Sequence, residues 1–295
     1  MGGGIDGTMK RRTIGVAALA LCAAFGQGGV VFRAETRLVE LYVTVRDHSG
    51  RYVDGLPQDR FQVMDNGQPQ PISVFESEST PLSCAVLLDT TGSMAGVLPA
   101  VKTSVMHMID ELAVDDSVAI YTFSVGLKRL QDFTSDKAAA KQAVLRGRAS
   151  GQTALFDAIS ELAKEIEPRK GKKAIIVFTD GDDNASMLNA RSAVQRAKKS
   201  GVPVYAIAEG DALKSAPLLA EIREIAETTG AKFHEVHKTS NISEIFQDIS
   251  VDLGHTYLLA YKAPPSMDQK WRTIELAVSG VKGSKVRAKE GYFPE

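Results

Sequence analysis

The sequence predicts an α/β fold, namely a doubly wound, mostly parallel sheet with a small antiparallel β-sandwich formed from the N- and C-terminal flanks. Three observations support it. Apolar strand-like runs alternate with helical periodicity between residues 83 and 253, and β-type patterns both precede and follow this region. Uninterrupted runs of Val, Ile and Ala, separated by helices, are typical of a parallel sheet covered on both faces.

The composition is that of an ordinary globular protein. The chain has 295 residues, of which 44% are hydrophobic and 24% charged, with 35 Lys and Arg against 36 Asp and Glu. A formal net charge of -1 provides no overall field to attract nucleic acid or an anionic membrane, so we expect neither as a partner. The two cysteines, Cys22 and Cys84, lie in an N-terminal leader and an apolar strand, so we expect no internal disulfide.

The N-terminus has the pattern of an export signal. Residues 10–12 are basic and precede an apolar run over residues 13–25, which is too short to cross a bilayer as a helix. We predict a signal peptide over residues 1–26 and an exported protein that is periplasmic, secreted or associated with the cell envelope. Lipidation at Cys22, twin-arginine export, membrane attachment through this segment and a buried helix are alternatives, and Met9 is an alternative start.

An N-terminal β segment is predicted over residues 31–80. Residues 36–47 alternate apolar and polar side chains imperfectly, as a half-buried strand does. Asn66 and Gly67 then form a strong hairpin signal between two β-rich runs. This segment is therefore expected to be antiparallel.

The α/β domain is predicted over residues 81–253. Its strands begin near residues 84, 117, 173, 202 and 232, and its helices cover residues 97–112, 136–146, 154–166, 189–200, 217–228 and 242–253. A C-terminal β segment follows over residues 254–295. Each flank has too few strands to bury a sheet alone, so we expect the two to pack together.

Three polar segments are expected to meet at one edge of the parallel sheet. Asp89, Thr91 and Ser93 follow the first strand, a run of polar residues over 179–184 follows the third, and Thr153 opens a helix. Ligands of open α/β sheets bind beyond the carboxyl ends of the strands. The three segments contain carboxylates and hydroxyls but no His or Cys. Such oxygen ligands suit a hard divalent cation such as Mg²⁺, whereas zinc and copper prefer imidazole and thiolate ligands.

These segments resemble the metal-ion-dependent adhesion site of von Willebrand factor type A domains. The motifs are "DTTGS", "GQTAL" and "VFTDGDDN", in that order, within residues 81–253. The resemblance implies a Rossmann-like domain whose metal ligands are Asp89, Thr91, Ser93, Thr153 and Asp180. Thr91 replaces the usual serine and keeps its hydroxyl. Mg²⁺ is the expected ion, with Mn²⁺ or Ca²⁺ as alternatives.

The flanks resemble those of exported bacterial "VWFA-related" proteins of acidobacteria. The matching stretches are "VRDHSGRYVDGL", "FQVMDNGQPQPISVF" and "EGYF". The leading hypothesis is a non-catalytic, adhesion-type binding module whose cation accepts a carboxylate from a partner protein. A metal-assisted hydrolase and a structural component of envelope assembly are the alternatives. The hydrolase lacks an evident general base in the motif loops.

Four of the five predicted ligands also have a simpler explanation. Thr91, Ser93 and Thr153 would serve as helix caps, and Asp180 with Gly181 as an ordinary turn. Asp182 and Asp183 are expected to be solvated or to support the ligands rather than to bind the ion.

Overall fold

The computed structural model describes Met1 and residues 38–181, 183–265 and 268–294, and the strands of these residues form three sheets. The predicted signal peptide lies, apart from Met1, outside the described residues. The strands are β1 (Leu38–Arg46), β2 (Phe61–Asp65), β3 (Gln68–Gln70), β4 (Ile72–Glu76), β5 (Leu82–Asp89), β6 (Ser117–Phe123), β7 (Leu127–Thr134), β8 (Lys172–Thr179), β9 (Val204–Glu209), β10 (Phe233–Val236), β11 (Tyr257–Lys262), β12 (Arg272–Val278), β13 (Lys285–Arg287) and β14 (Gly291–Tyr292). The α-helices are α1 (Leu98–Glu111), α2 (Lys137–Arg146), α3 (Leu155–Ile166), α4 (Ala190–Ser200), α5 (Ala216–Thr228) and α6 (Ile242–Gly254).

The central sheet has six strands in the order β10-β9-β8-β5-β6-β7. Its strands pair in parallel except for β7, which runs antiparallel to β6 at the edge. All residues of β5 and β8 are buried, because α1, α2 and α6 cover one face of the sheet and α3, α4 and α5 cover the other. The predicted doubly wound α/β architecture is confirmed.

The edge strand β7 was not predicted from the sequence. None of its eight residues is buried, and the run "LKRLQDFT" has neither the continuous apolar character nor the alternation of the other strands. An antiparallel edge strand needs only one hydrogen-bonded neighbour, here β6, and its outer side can stay polar.

The two chain ends combine into a pair of four-stranded antiparallel sheets, as predicted. Their strand orders are β13-β1-β11-β4 and β14-β12-β2-β3, so each sheet contains strands from both flanks. The hairpin between β2 and β3 turns at Asn66 and Gly67, whose φ angles of 48° and 74° suit a type I′ turn. Apolar side chains of both sheets, including Leu41, Phe61 and Tyr257, share one core.

A polar cluster around Asp252 joins these flanking sheets to the central domain. Asp252, at the end of α6, is fully buried and accepts hydrogen bonds from the hydroxyls of Tyr52 and Tyr205, each at 2.6 Å. It also forms ion pairs with Arg287 of β13 and, at 3.1 Å, with Lys232. The negative charge of Asp252 is thus compensated by groups from both parts of the fold.

No α-helix within the described ranges is long and apolar enough to span a bilayer.

Candidate metal-binding site

Asp89 ties two strand-end loops together at the carboxyl edge of the central sheet. It is the last residue of β5, and its side chain is fully buried. One carboxylate oxygen accepts the backbone N–H of Thr91 at 2.8 Å, and the other accepts the hydroxyl of Thr179, at the end of β8, at 2.7 Å. These bonds fix the loop after β5 against the neighbouring strand.

A chain of hydrogen bonds connects the hydroxyls of the first loop to Asp180. Thr91 Oγ1 lies 3.0 Å from Ser93 Oγ, and Ser93 Oγ donates to Asp180 Oδ1 at 2.8 Å. Thr91 and Asp180 are buried, whereas Ser93 is exposed. The hydroxyl and carboxylate oxygens therefore face one another at the sheet edge and are accessible from solvent through Ser93.

Thr153 lies beside the hydrogen bonds that connect Thr91, Ser93 and Asp180. Its backbone N–H donates to Asn184 Oδ1 at 3.0 Å, and its carbonyl accepts the backbone N–H groups of Asn184 and Ala185. A Cβ atom placed on Gly181 would lie 3.5 Å from Ser93 Oγ and 3.8 Å from Thr153 Oγ1. Gly181 thus borders a small space lined by both hydroxyls, and the structure brings all five predicted ligands together.

Helix capping does not account for these hydroxyl groups. The N-cap residue of the short 3₁₀ helix Ser93–Ala95 is Gly92, that of α1 is Val97 and that of α3 is Ala154, and none of the three makes a side-chain capping bond. Asp183 instead receives the backbone N–H of Phe156, in the first turn of α3, at 2.9 Å. Asp183 therefore connects the loop after β8 to the start of α3, while Asp182 lies outside the described residues.

The carboxylates of the site are held in an environment that disfavours their charge. Burial raises the pKa of Asp89, although hydrogen bonds from Thr91 and Thr179 oppose this. Burial also raises the pKa of Asp180, and the nearby charge of Asp211 adds to the effect. A bound cation would offset the cost of keeping both carboxylates ionised.

Two acidic residues near the site escaped the sequence analysis. Glu209 ends β9, and Asp211 follows it in the 3₁₀ helix Gly210–Lys214. Burial, together with the charges of Asp180 and Asp211, raises the pKa of Glu209. The only available signal was the acidic pair in "AEGDA" at the end of a predicted strand, and this pair has no motif spacing.

The donor set fits a hard cation. It consists of the carboxylates of Asp89 and Asp180 and the hydroxyls of Thr91, Ser93 and Thr153, and Mg²⁺ and Ca²⁺ prefer such oxygen ligands. No group of three or more His, Cys, Asp and Glu side chains suited to a metal occurs in the part of the chain that the structure describes. A cation here would therefore depend on the hydroxyls as well as on the two carboxylates.

Several solved structures share this fold at low sequence identity. A von Willebrand factor type A protein from Catenulispora acidiphila has a TM-score of 0.54 and 15% identity, over 88% of this chain and 75% of that chain. Proximal thread matrix protein 1 of the mussel byssus, with zinc in its MIDAS motif, has a TM-score of 0.51 and 22% identity, over 64% of this chain and 49% of that chain. A mutant of the PilB minor pilin from Streptococcus sanguinis has a TM-score of 0.50 and 14% identity, over 64% of each chain.

At these identities the similarity concerns the fold alone. A search of curated proteins finds no match. The family model of the von Willebrand factor type A domain matches residues 84–248, which is more than half of the chain and includes all five predicted ligands. The chain therefore belongs to the von Willebrand factor type A domain family.

Proposed function

We propose that this protein is a non-catalytic, metal-dependent protein-binding module of the adhesion type. Asp89, Thr91, Ser93, Thr153 and Asp180 hold a divalent cation, which accepts a carboxylate from a partner protein. The observation that carries this proposal is the hydrogen-bonded chain from Thr91 through Ser93 to Asp180, next to Thr153. Domains of this family often bind metal at such a site and mediate protein interactions.

The chemistry of the ligands supports Mg²⁺, with Mn²⁺ or Ca²⁺ as alternatives. Three of the five donors are neutral hydroxyls, so the protein compensates the ion's charge only through Asp89 and Asp180. Both oxygens of Asp89 already accept hydrogen bonds from the loops that it joins. An ion held in this way keeps an affinity for a further anionic oxygen, and a partner's Asp or Glu side chain provides one.

The proposal extends to the organisation and location of the protein. In this proposal residues 81–253 are the binding domain, and residues 31–80 and 254–295 are the segments that flank it. The basic and apolar pattern over residues 1–26 supports export to the periplasm, the envelope or the medium. The flank motifs support membership of the exported bacterial "VWFA-related" subgroup.

Calorimetric titration with Mg²⁺ tests the site directly. Asp180→Ala is the preferred variant, because Asp89→Ala would also remove the acceptor for Thr91 and Thr179. We expect Mg²⁺ binding by the wild type and a loss of at least tenfold in affinity for Asp180→Ala. Asp115→Ala, an exposed carboxylate away from the site, is the control. Equal affinity in wild type and Asp180→Ala would refute the ligand assignment.

Capture from an envelope extract tests the function. Immobilised wild-type protein is compared in Mg²⁺ and in chelator, alongside Asp180→Ala in Mg²⁺. We expect at least one protein to be retained only by the wild type with Mg²⁺. A retained set that is identical in all three samples would argue against metal-dependent binding.

A further inference from the structure

An open cavity of about 780 Å³ lies next to the candidate metal site, at the same edge of the central sheet. Its walls come from the end of β6, the start of β7 and the segment between α2 and α3. Four of the side chains that line it are basic, namely Lys128, Arg129, Arg146 and Arg148. This local excess of positive charge contrasts with the net charge of -1 of the whole chain.

The cavity and the metal site share a wall. Thr90 lines the cavity and lies between the predicted ligands Asp89 and Thr91. Its carbonyl accepts the backbone N–H of Ser150, another lining residue, at 2.7 Å. The N–H of Gly92 donates to the carbonyl of Gly151 at 3.2 Å. A chain segment bound at the metal site therefore needs only a short extension to enter the cavity.

Of the four basic side chains in the cavity, Arg129 alone has an ion pair within the described residues. Arg129 pairs with Glu165 at 3.0 Å, and Arg146 donates to the carbonyl of Leu130. Lys128 and Arg148 are exposed, and neither has an ion pair in the described part of the chain. These two side chains are available to an external anion.

The other side of the metal site has the opposite charge. Glu209 and Asp211 lie beyond Asp180, at the end of β9, and the charge of Asp211 acts on both Glu209 and Asp180. Lys214 pairs with Asp211 and offsets part of this negative charge, so an acidic ligand would be repelled weakly by this side and attracted by the cavity side. The sheet edge is therefore polarised, with the metal site between an acidic region and a basic one.

We propose that the basic cavity binds acidic residues of the partner segment whose carboxylate reaches the metal. The partner chemistry is thus a stretch of several Asp or Glu residues that runs from the metal site towards the turn between β6 and β7. This inference rests on the proposed function, since the metal anchors one carboxylate of the segment. Lys128 and Arg148 provide the selectivity for the acidic residues beside it.

Synthetic fluorescein-labelled peptides test this inference by fluorescence anisotropy. One peptide has a single aspartate in a Gly-Ser background, and two others add three glutamates after or before the aspartate. At low ionic strength with Mg²⁺, we expect the better of the acidic peptides to bind about tenfold more tightly than the single-aspartate peptide, given the modest strength of exposed ion pairs. The double variant Lys128→Glu/Arg148→Glu should abolish this advantage and leave the single-aspartate peptide unaffected.

A matched variant controls for overall charge. Lys262→Glu/Lys282→Glu makes the same charge change at two exposed lysines, one in β11 and one in the turn between β12 and β13, and should preserve the advantage of the acidic peptide. An equal loss in both double variants, or equal affinity of all peptides for the wild type in Mg²⁺, would overturn the inference and leave the proposed function standing. Peptide binding that is the same in Mg²⁺ and in chelator would instead refute the proposed function.

A competition experiment distinguishes a peptide from a small anion. Inorganic phosphate, compared with chloride at equal ionic strength, should displace the acidic peptide only weakly. If phosphate displaces it fully and itself binds in a way that requires Lys128 and Arg148, the cavity is a small-anion site and the assignment to an acidic segment is wrong.

Discussion

Ser93 Oγ donates a 2.8 Å hydrogen bond to Oδ1 of Asp180, which lies 87 residues later in the chain. The bond joins the loop after β5 to the loop after β8 at the carboxyl edge of the sheet. A cation at this point would be bound by both loops and would stabilise the arrangement of the two strands. Metal binding and fold stability are therefore expected to be linked.

Magnesium should raise the thermal stability of the wild type. A ligand present at a hundredfold excess over its dissociation constant stabilises the folded state by about 2.7 kcal/mol, which corresponds to roughly 5–10 °C in Tm for a chain of this size. Calorimetric melts with Mg²⁺ and with chelator measure the difference. Asp180→Ala should abolish the shift and Asp115→Ala should keep it, so a shift retained by Asp180→Ala would contradict the prediction.

The hydroxyl of Thr91 should matter for metal affinity, whereas that of Thr90 should not. Thr91→Val keeps the shape of a buried side chain but removes Oγ1, and we expect Mg²⁺ affinity to fall at least tenfold. Thr91→Ser restores a hydroxyl and should bind nearly as the wild type does. Titration calorimetry of the three proteins is the measurement.

Thr90→Val is the matched control for that series. Thr90 Oγ1 donates to the carbonyl of Phe123 at 2.9 Å, so its loss should cost about 1 kcal/mol of stability without changing Mg²⁺ affinity. A similar loss of affinity in Thr90→Val and Thr91→Val would indicate a general disturbance of the loop rather than the removal of a ligand.

Acid should weaken the junction around Asp252. Burial alone would raise the pKa of Asp252, but the charges of Arg287 and Lys232 and the hydroxyls of Tyr205 and Tyr52 lower it below its ordinary value of 3.8. A carboxyl whose pKa is lower in the folded state stabilises the fold above the unfolded pKa, and this contribution is lost as the pH falls through the folded pKa. Urea denaturation at a series of pH values below about 5 should show this decline.

The variant Asp252→Asn should reduce the decline in stability at acid pH, because it has no carboxylate to protonate at this position. It should also destabilise the protein at neutral pH. We expect a loss of about 3 kcal/mol, because Arg287 and Lys232 would keep their charges without their buried partner. Asp248→Asn is the control, since its carboxylate contacts the same Lys232 at 2.8 Å but is 46% exposed, and it should cost less than about 1 kcal/mol. Equal losses would show that burial of Asp252 is not the cause.

Gly291 should not tolerate a side chain. A Cβ atom there would meet the carbonyl oxygen of Arg272 and lie 2.5 Å from two ring atoms of Trp271. Gly291→Ala should therefore cost about 1–3 kcal/mol, as measured by urea denaturation. Gly96→Ala, where nothing lies within 4 Å of the new atom, should change stability by less than about 0.5 kcal/mol.

The sequence predicted those parts of the fold that depend on local patterns. The apolar run of β5 indicated a strand buried on both faces, and Asn66 with Gly67 indicated the hairpin between β2 and β3. The edge strand β7 was missed because its polar side chains follow from its position at the sheet edge rather than from a periodic pattern.

The candidate site was predictable because its residues follow strand ends. The carboxyl ends of parallel strands converge on one edge, so Asp89 and Asp180 were expected to meet there. The basic cavity and the acidic residues Glu209 and Asp211 were not predicted, since ordinary charged residues in loops carry no motif. The partners of Asp252 are far apart in the sequence, from Arg46 to Arg287, and no local pattern connects them. They come together only in the folded chain.

The position of β1 has a consequence for the synthesis of the protein. Strand β1 lies between β11 and β13, with Leu38 opposite Lys262 and Thr44 opposite Arg287. Both neighbours follow β1 by about 200 residues or more in the chain, so the apolar residues of β1 stay without them while the intervening segment is translated. Unpaired apolar strands are the segments that chaperones protect, so residues 38–46 are the place where a nascent or truncated chain would first need a holding factor.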